Sequence, residues 1–226
     1  MIGFYDYTVW LTYFSFISAC TGIYLTLAYS LPMYGIVCLL VSGLCDAFDG
    51  KVASTKKDRT ELGKKFGIQI DSLSDVVAFG ILPGVVGIGE FRAFKAAGSG
   101  VQTKGLIFVS VVAFIITIMY MLAAYIRLAY YNVTEEERQQ TENGKRTRYQ
   151  GLPVTASALV FPLLYLLQNI SYEIFVSAYF AMMLIMSFAF LLNIPVKKPG
   201  FRGVVIMTAI GAVELALLLL FKYVFK

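Results

Sequence analysis

Long apolar runs separated by short charged loops constrain this 226-residue chain more than any other feature. A helix needs roughly 20 apolar residues to cross the hydrocarbon core of a bilayer, and runs near that length recur from end to end. Hydrophobic residues make up 58% of the chain and charged residues 15%, with a mean hydropathy of +0.73. A soluble domain carries about 25% charged residues and alternates apolar with polar positions. The pattern predicts an all-α polytopic bundle of six to eight membrane helices, forming one domain over residues 1–226.

Seven spans are expected, over residues 7–29, 33–49, 66–89, 105–131, 152–167, 172–192 and 203–225. The fifth is short enough to be tilted or partly interfacial, and Leu31-Pro32 turns the chain between the first two. The polar stretch 133–150 is expected to be a solvated loop, with a helical extension of the fourth span as the alternative. No internal repeat is visible. The first residues, Met1-Ile2-Gly3-Phe4-Tyr5-Asp6, have no basic region or small-residue cleavage site, so a mature N-terminus without a removable signal peptide is expected.

The basic residues set an orientation. Lys51, Lys56, Lys57, Arg59, Lys64 and Lys65 fall in segment 50–65; Arg138, Lys145, Arg146 and Arg148 in 133–151; Lys197, Lys198 and Arg202 in 193–202. The opposite side holds only Arg92, Lys95, Lys104, Lys222 and Lys226. This bias places the N-terminus and the three richer loops in the cytoplasm, as for a prokaryotic plasma-membrane protein. The net charge of +5 is therefore a matter of topology, and no nucleic-acid-binding module is visible. Cys20, Cys38 and Cys45 sit inside apolar segments as small core residues rather than a disulfide framework. Histidine is absent. Chemistry must then rest on carboxylates, hydroxyls, lysine or arginine, or on a metal held by oxygen.

Four aspartates carry that chemistry. Asp46 and Asp49 are spaced i, i+3 and Asp71 and Asp75 i, i+4, so each pair shares one face of its helix. The two helices are consecutive and meet at one loop, which brings both pairs to a common depth; Asp75 lies roughly 10–15 Å below that loop at the α-helical rise. Ionisable groups there cost about 2.5–3.5 kcal/mol each on insertion scales, and four facing carboxylates repel as well. Divalent cations remove both penalties. An oxygen-only donor set favours a hard ion, Mg2+, Mn2+ or Ca2+, and two ions shared by four aspartates suit phosphoryl chemistry. Gly50 and Gly67 fit this reading, because a missing Cβ lets a phosphate approach the backbone. The bland alternative is four helix-end carboxylates snorkelling to water.

The spacing Asp46-Asp49-Gly50-Ala53, then Gly67-Asp71-Asp75, resembles the signature of the CDP-alcohol phosphatidyltransferase family, DxxDGxxAR followed after eight residues by GxxxDxxxD. Two departures stand out: Ser54 replaces the signature arginine, and twelve residues separate Ser54 from Gly67. Lys56, Lys57 and Arg59 in that loop are candidates for the missing cation. The resemblance implies that Asp46, Asp49 and Asp71 ligate metal bridged by a nucleotide pyrophosphate. It implies that Asp75 contributes to the metal site and acts as general base on the incoming alcohol, and that the protein is a homodimer.

The acceptor is addressed by further stretches. Tyr125-Ile126-Arg127-Leu128-Ala129-Tyr130-Tyr131-Asn132, Gln150-Gly151-Leu152-Pro153 and the run from Asp71 to Gly80 are similar to blocks of the family's serine-accepting branch. That likeness implies CDP-diacylglycerol and serine as substrates, with phosphatidylserine and CMP as products. An arginine fork binds a carboxylate bidentately, and serine is the common head-group alcohol that has one. Arg127 would take that role, bind a lipid phosphate, or simply snorkel at a helix end; Asn132 would add a polar contact. Glycerol 3-phosphate or an inositol phosphate is the rival acceptor, and a cation transporter is the rival from another class. Glu214, alone in the last apolar run, is expected to pair with a polar neighbour or face a crevice.

Overall fold

A computed structural model describes residues 3–98, 103–141, 148–197 and 200–224; Lys145, Arg146, Lys198 and Lys226 of the orientation argument lie outside them. The helices are α1 (Trp10–Tyr29), α2 (Pro32–Thr55), α3 (Glu61–Asp75), α4 (Leu82–Ala96), α5 (Thr103–Thr141), α6 (Ser157–Tyr165), α7 (Tyr172–Leu191) and α8 (Phe201–Tyr223). A π-helical turn, Val76–Ile81, joins α3 to α4 without a break, so the chain forms seven rods, as expected. Among the described residues, five stretches are long and apolar enough to cross a membrane: Tyr7–Tyr29, Glu61–Ala96, Gly105–Arg138, Tyr172–Leu191 and Phe201–Tyr223. The molecule is an integral, multi-pass membrane protein.

Local chemistry explains the element boundaries. Ser30 turns left-handed (φ 55°) to end α1, and Pro32 opens α2 at a position where a missing N–H costs nothing. Thr60 caps α3 by accepting from the Gly63 N–H at 3.1 Å. The π turn has an identifiable cause nearby. Pro83 cannot donate to the carbonyl of Phe79, four residues back, and the buried Tyr120 hydroxyl on α5 donates to that oxygen at 2.6 Å instead. Its one proton being committed, Tyr120 accepts from the Ser157 hydroxyl at 2.7 Å, which ties α6 to the same point.

Two expectations change. The stretch after Tyr131 is a helical extension through Thr141, not a loop; Glu135 pairs with Arg138 at 2.6 Å one turn on, and Glu136 with Lys65 of α3 at 3.4 Å. A short antiparallel pair, β1 (Arg148–Gln150) with β2 (Pro195–Lys197), had no signal in the apolar pattern. Gly151 follows β1 with φ +78°, and a Cβ there would stand 2.8 Å from the Phe190 carbonyl oxygen. Only glycine lets the chain pass so closely over the end of α7, where the Leu152 N–H donates to the Ala189 carbonyl. The fifth span is short, as expected: 3-10 turns Val154–Ala156 and Leu166–Asn169 flank α6, which carries Pro162 inside it.

The core lies among α4 to α7 and is aromatic. Phe161 packs against Tyr179 at 4.7 Å and edge-on to Tyr120 at 5.6 Å, and Phe175 meets Tyr165 at 5.1 Å. Lipid tails are as apolar as these rings, so packing and interhelical hydrogen bonds must hold the bundle. Glu90 of α4 is such a tie: buried, it accepts from Tyr165 at 2.5 Å and Tyr172 at 2.7 Å.

Candidate metal centre

The C-terminal half of α2 and α3 present the acids to one another. One carboxylate oxygen from each of Asp46, Asp49 and Asp71 lies within 4.8 Å of the other two. All three residues are half-buried, and none of the ion pairs among the described residues includes them. Three carboxylates so close, with no sulfur or imidazole donor, form an all-oxygen set that fits a hard divalent cation. Thr12 of α1 donates to Asp49 at 3.4 Å, and its own carbonyl accepts from Ser74 at 3.3 Å, so α1 braces both acid-bearing helices.

Asp75 stands one turn beyond Asp71 and is buried, at 8% exposure. It is the last residue of α3, immediately before the π turn. Arg127 is itself buried on α5, with its guanidinium 5.8 Å from the ring of Tyr131. Asn132, one turn further along α5, accepts from the Ser72 hydroxyl at 2.8 Å and fastens α5 to α3. The residues drawn from distant parts of the sequence therefore converge on one end of the bundle.

The loop between α2 and α3 separates its three cations. Lys56 is paired with Asp6 at 2.9 Å, and the Thr8 hydroxyl and then the Lys56 ammonium hold the Asp6 carboxyl well below the usual carboxylate range. Lys57 is exposed. Arg59 turns back over α3, donating to the Gly63 carbonyl at 3.0 Å, and its Nη2 stands 2.5 Å from where a Cβ on Gly67 would be. The space left by that glycine thus holds a guanidinium, one helical turn from Asp71. Ser54 donates to the Lys51 carbonyl at 2.7 Å and merely finishes α2. A Cβ on Gly50, by contrast, would meet open space.

That open space is a groove of about 840 Å³ between α2, α6 and α8. Asp46, Gly50, Lys51 and Lys197 mark its polar end, and Leu40, Leu44, Leu159, Met207 and Leu215 its apolar length. Val205, Ile206, Ile210 and Val213 leave the outer face of α8 apolar and exposed. No periodicity argument foresaw this groove, because its three walls lie far apart in sequence. Glu214 faces inward from α8, buried at 4% exposure, with Oε2 lacking a hydrogen-bond partner; it does not line the groove.

Fold and site together define a class: a multi-pass membrane protein with a carboxylate cluster suited to divalent cations, beside a groove that is polar at one end and apolar along its length. Residues 8–194 match the family model of the CDP-alcohol phosphatidyltransferases, and the chain belongs to that family, whose members are metal-dependent. Among curated proteins it is similar to the CDP-diacylglycerol–serine O-phosphatidyltransferase of Helicobacter pylori strain 26695, at 29% identity over 136 residues, 59% of this chain and 47% of the relative. The protein of the same name from Saccharomyces cerevisiae is 30% identical over 145 residues, 60% of this chain and 45% of that one. The chain spans about half the length of the curated relatives it matches.

Proposed function

We propose that this protein transfers a phosphatidyl group from CDP-diacylglycerol to L-serine, releasing CMP. The observation that carries the reading is the cluster of Asp46, Asp49 and Asp71, one member of which, Asp46, also lines a groove that is polar at one end and apolar along its length. A molecule that is a diphosphate at one end and two acyl chains at the other matches both. The names of the curated relatives support serine as acceptor.

Asp46, Asp49 and Asp71 would hold Mg2+ or Mn2+, one or two ions, and Asp75 lies beside them. Such ions, when bound, supply charge neutralisation for the diphosphate and the departing CMP. The chain's own groups do the rest. Gly50 and Ala53 leave room for the nucleotide against α2, and Arg59, above Gly67, offers the guanidinium that Ser54 does not. Arg127 orients the carboxylate of serine, with Asn132 holding α5 against α3. Asp75 takes the proton from the serine hydroxyl as its oxygen bonds to the phosphorus bearing diacylglycerol. The bond from that phosphorus to the bridging oxygen breaks, and CMP leaves with the electron pair. The burial of Asp75 keeps bulk water from competing for its proton.

The excess of lysine and arginine around the α2–α3 loop supports a centre that faces the cytoplasm of a prokaryotic cell, and membership of the family supports a homodimer. Arg127 is the buried cation among the described residues, and a phosphate-bearing acceptor would call for several, which favours serine over glycerol 3-phosphate or an inositol phosphate. The test is CMP release by purified protein given CDP-diacylglycerol and Mn2+ or Mg2+, with each acceptor in turn. Release that requires serine and stops with EDTA is the expected result. Release with another acceptor instead would replace serine, and no release with any acceptor, in folded protein that binds Mn2+, would overturn the transferase reading.

A further inference from the structure

The residues before α1 cross the end of the bundle that carries the acids, and they do so over the α2–α3 loop. Thr8 and Val9 are buried and anchor this segment where it enters α1. Asp6 caps the 3-10 turn Tyr7–Val9: one carboxylate oxygen accepts from the Thr8 N–H at 3.0 Å and from the Thr8 hydroxyl. The other accepts from Lys56 at 2.9 Å, and the Tyr7 and Thr55 hydroxyls share a hydrogen bond at 3.2 Å. These contacts fasten the segment to the C-terminal end of α2. Phe4 fastens it to the far side of the loop. Its ring centroid lies 5.3 Å from that of Phe66, and its edge 3.4 Å from where a Cβ on Gly63 would be. Its carbonyl accepts from Tyr13 of α1 at 2.8 Å. Residues 4–8 therefore bridge the loop, from the end of α2 to the first turns of α3.

That loop has reason to need a brace from outside. Fixing a loop's backbone costs conformational entropy, and a longer loop has more to lose. Residues 56–60 form it here, within a stretch of twelve residues between Ser54 and Gly67 where the family signature has eight. Arg59 is the residue whose place depends on that order. Its guanidinium donates to the Gly63 carbonyl at 3.0 Å and stands over Gly67. Gly63 is the same residue that Phe4 lies against, and its N–H is capped by Thr60 of the loop. Segment, loop and guanidinium thus meet at one buried glycine. Lys56 lies three residues before Arg59, so its tie to Asp6 sets the direction in which the loop leaves α2.

We infer that the N-terminal segment is a strap that holds the α2–α3 loop with Arg59 over Gly67, which makes Asp6 and Phe4 positioning residues for the nucleotide end of the donor. The inference rests on the transferase reading above for the role of Arg59. The Asp6 and Lys56 side chains are 31% and 28% exposed, and an ion pair of that kind adds little to global stability. Its loss is felt locally, as a loop that opens more often, and not as a loss of fold. The strap therefore shows itself in affinity for the donor rather than in the thermal midpoint.

The experiment measures equilibrium binding of CDP-diacylglycerol in detergent with Mn2+, with hydrogen exchange at residues 56–60 and CMP release with serine followed in parallel. Wild-type protein is compared with Asp6→Asn, which keeps the cap on Thr8 but loses the charge, and with Phe4→Ala combined with Asp6→Asn. Arg59→Met, alone and combined with Asp6→Asn, completes the set. The expected result is affinity lower by roughly three-fold in Asp6→Asn and roughly ten-fold in the Phe4 and Asp6 double variant, with faster exchange in the loop. Asp6→Asn should leave the thermal midpoint unchanged and should weaken Arg59→Met no further, because the strap acts through that guanidinium. Unchanged affinity in the Phe4 and Asp6 double variant, loop exchange as slow as in the wild type, or an Asp6→Asn effect that adds in full to that of Arg59→Met overturns the strap. The affinity pattern without CMP release sustains the strap while overturning the transferase; release with unchanged affinity does the reverse.

Discussion

Asp71 and Asp75 lie one turn apart on the same helix face, yet their surroundings separate them. Asp71 shares a 4.8 Å cluster with Asp46 and Asp49, whereas Asp75 stands outside that triple and is buried. Asp71→Asn should therefore abolish both Mn2+ binding, read by electron paramagnetic resonance, and turnover. Asp75→Asn should retain Mn2+ binding while turnover falls by about 10²–10⁴, the usual worth of a general base. Equal loss of metal in both variants would assign Asp75 to the ligand set instead. Tyr120 is the structural counterpart at this scale. Its hydroxyl meets the carbonyl that Pro83 leaves without a donor, so Tyr120→Phe should cost about 1–3 kcal/mol in stability, read from the midpoint of denaturation in detergent.

Among the elements, the α2–α3 loop is where this chain departs most from its family's signature. Its extra length lets Arg59 fold back onto α3 and fill the space above Gly67. Gly67→Ala would bring a Cβ to 2.5 Å from Nη2, the far end of a flexible side chain, so the guanidinium moves and the helix stays. The expected outcome is an unchanged thermal midpoint with a KM for CDP-diacylglycerol raised about ten-fold, the loss of one charge-assisted hydrogen bond. The KM for serine should not change. A fall in the thermal midpoint without a change in KM would make the Arg59–Gly67 contact a packing device only.

For the whole molecule, the excess of lysine and arginine around the α2–α3 loop predicts that the acid-bearing end faces the cytoplasm. The acid cluster, Arg59 and Lys56 share one end, and the α4–α5 connection beginning at Ala97 lies at the other. With Cys20, Cys38 and Cys45 replaced by serine, a cysteine at Lys57 should react with a membrane-impermeant maleimide only after cells are opened. A cysteine at Ala97 should react in intact cells. The opposite pattern would invert the topology and place substrate exchange on the outer side. The groove between α2, α6 and α8 gives this scale a further meaning, since Asp46, Leu40 and Leu44 lie on α2 while the rest of the apolar wall comes from helices more than a hundred residues later.

The apolar runs and the spacing of four aspartates were enough, as sequence, to establish a membrane bundle, its seven rods and the family. Both are local properties: the first follows from the thickness of a bilayer and the second from the pitch of a helix. The continuation of α5 beyond Tyr131 escaped that logic, because the helix there is held by Glu135–Arg138 and by Lys65 of another helix rather than by an apolar stripe. Glu90 and Tyr120 escaped it as well. A lone glutamate or tyrosine in an apolar run carries no pattern, and its meaning depends on what faces it across the bundle. Tertiary structure alone decided that Arg59 covers Gly67, that Tyr120 meets Phe79 and that Glu90 meets Tyr165 and Tyr172, because each of these turns on distances between residues on different segments of the chain.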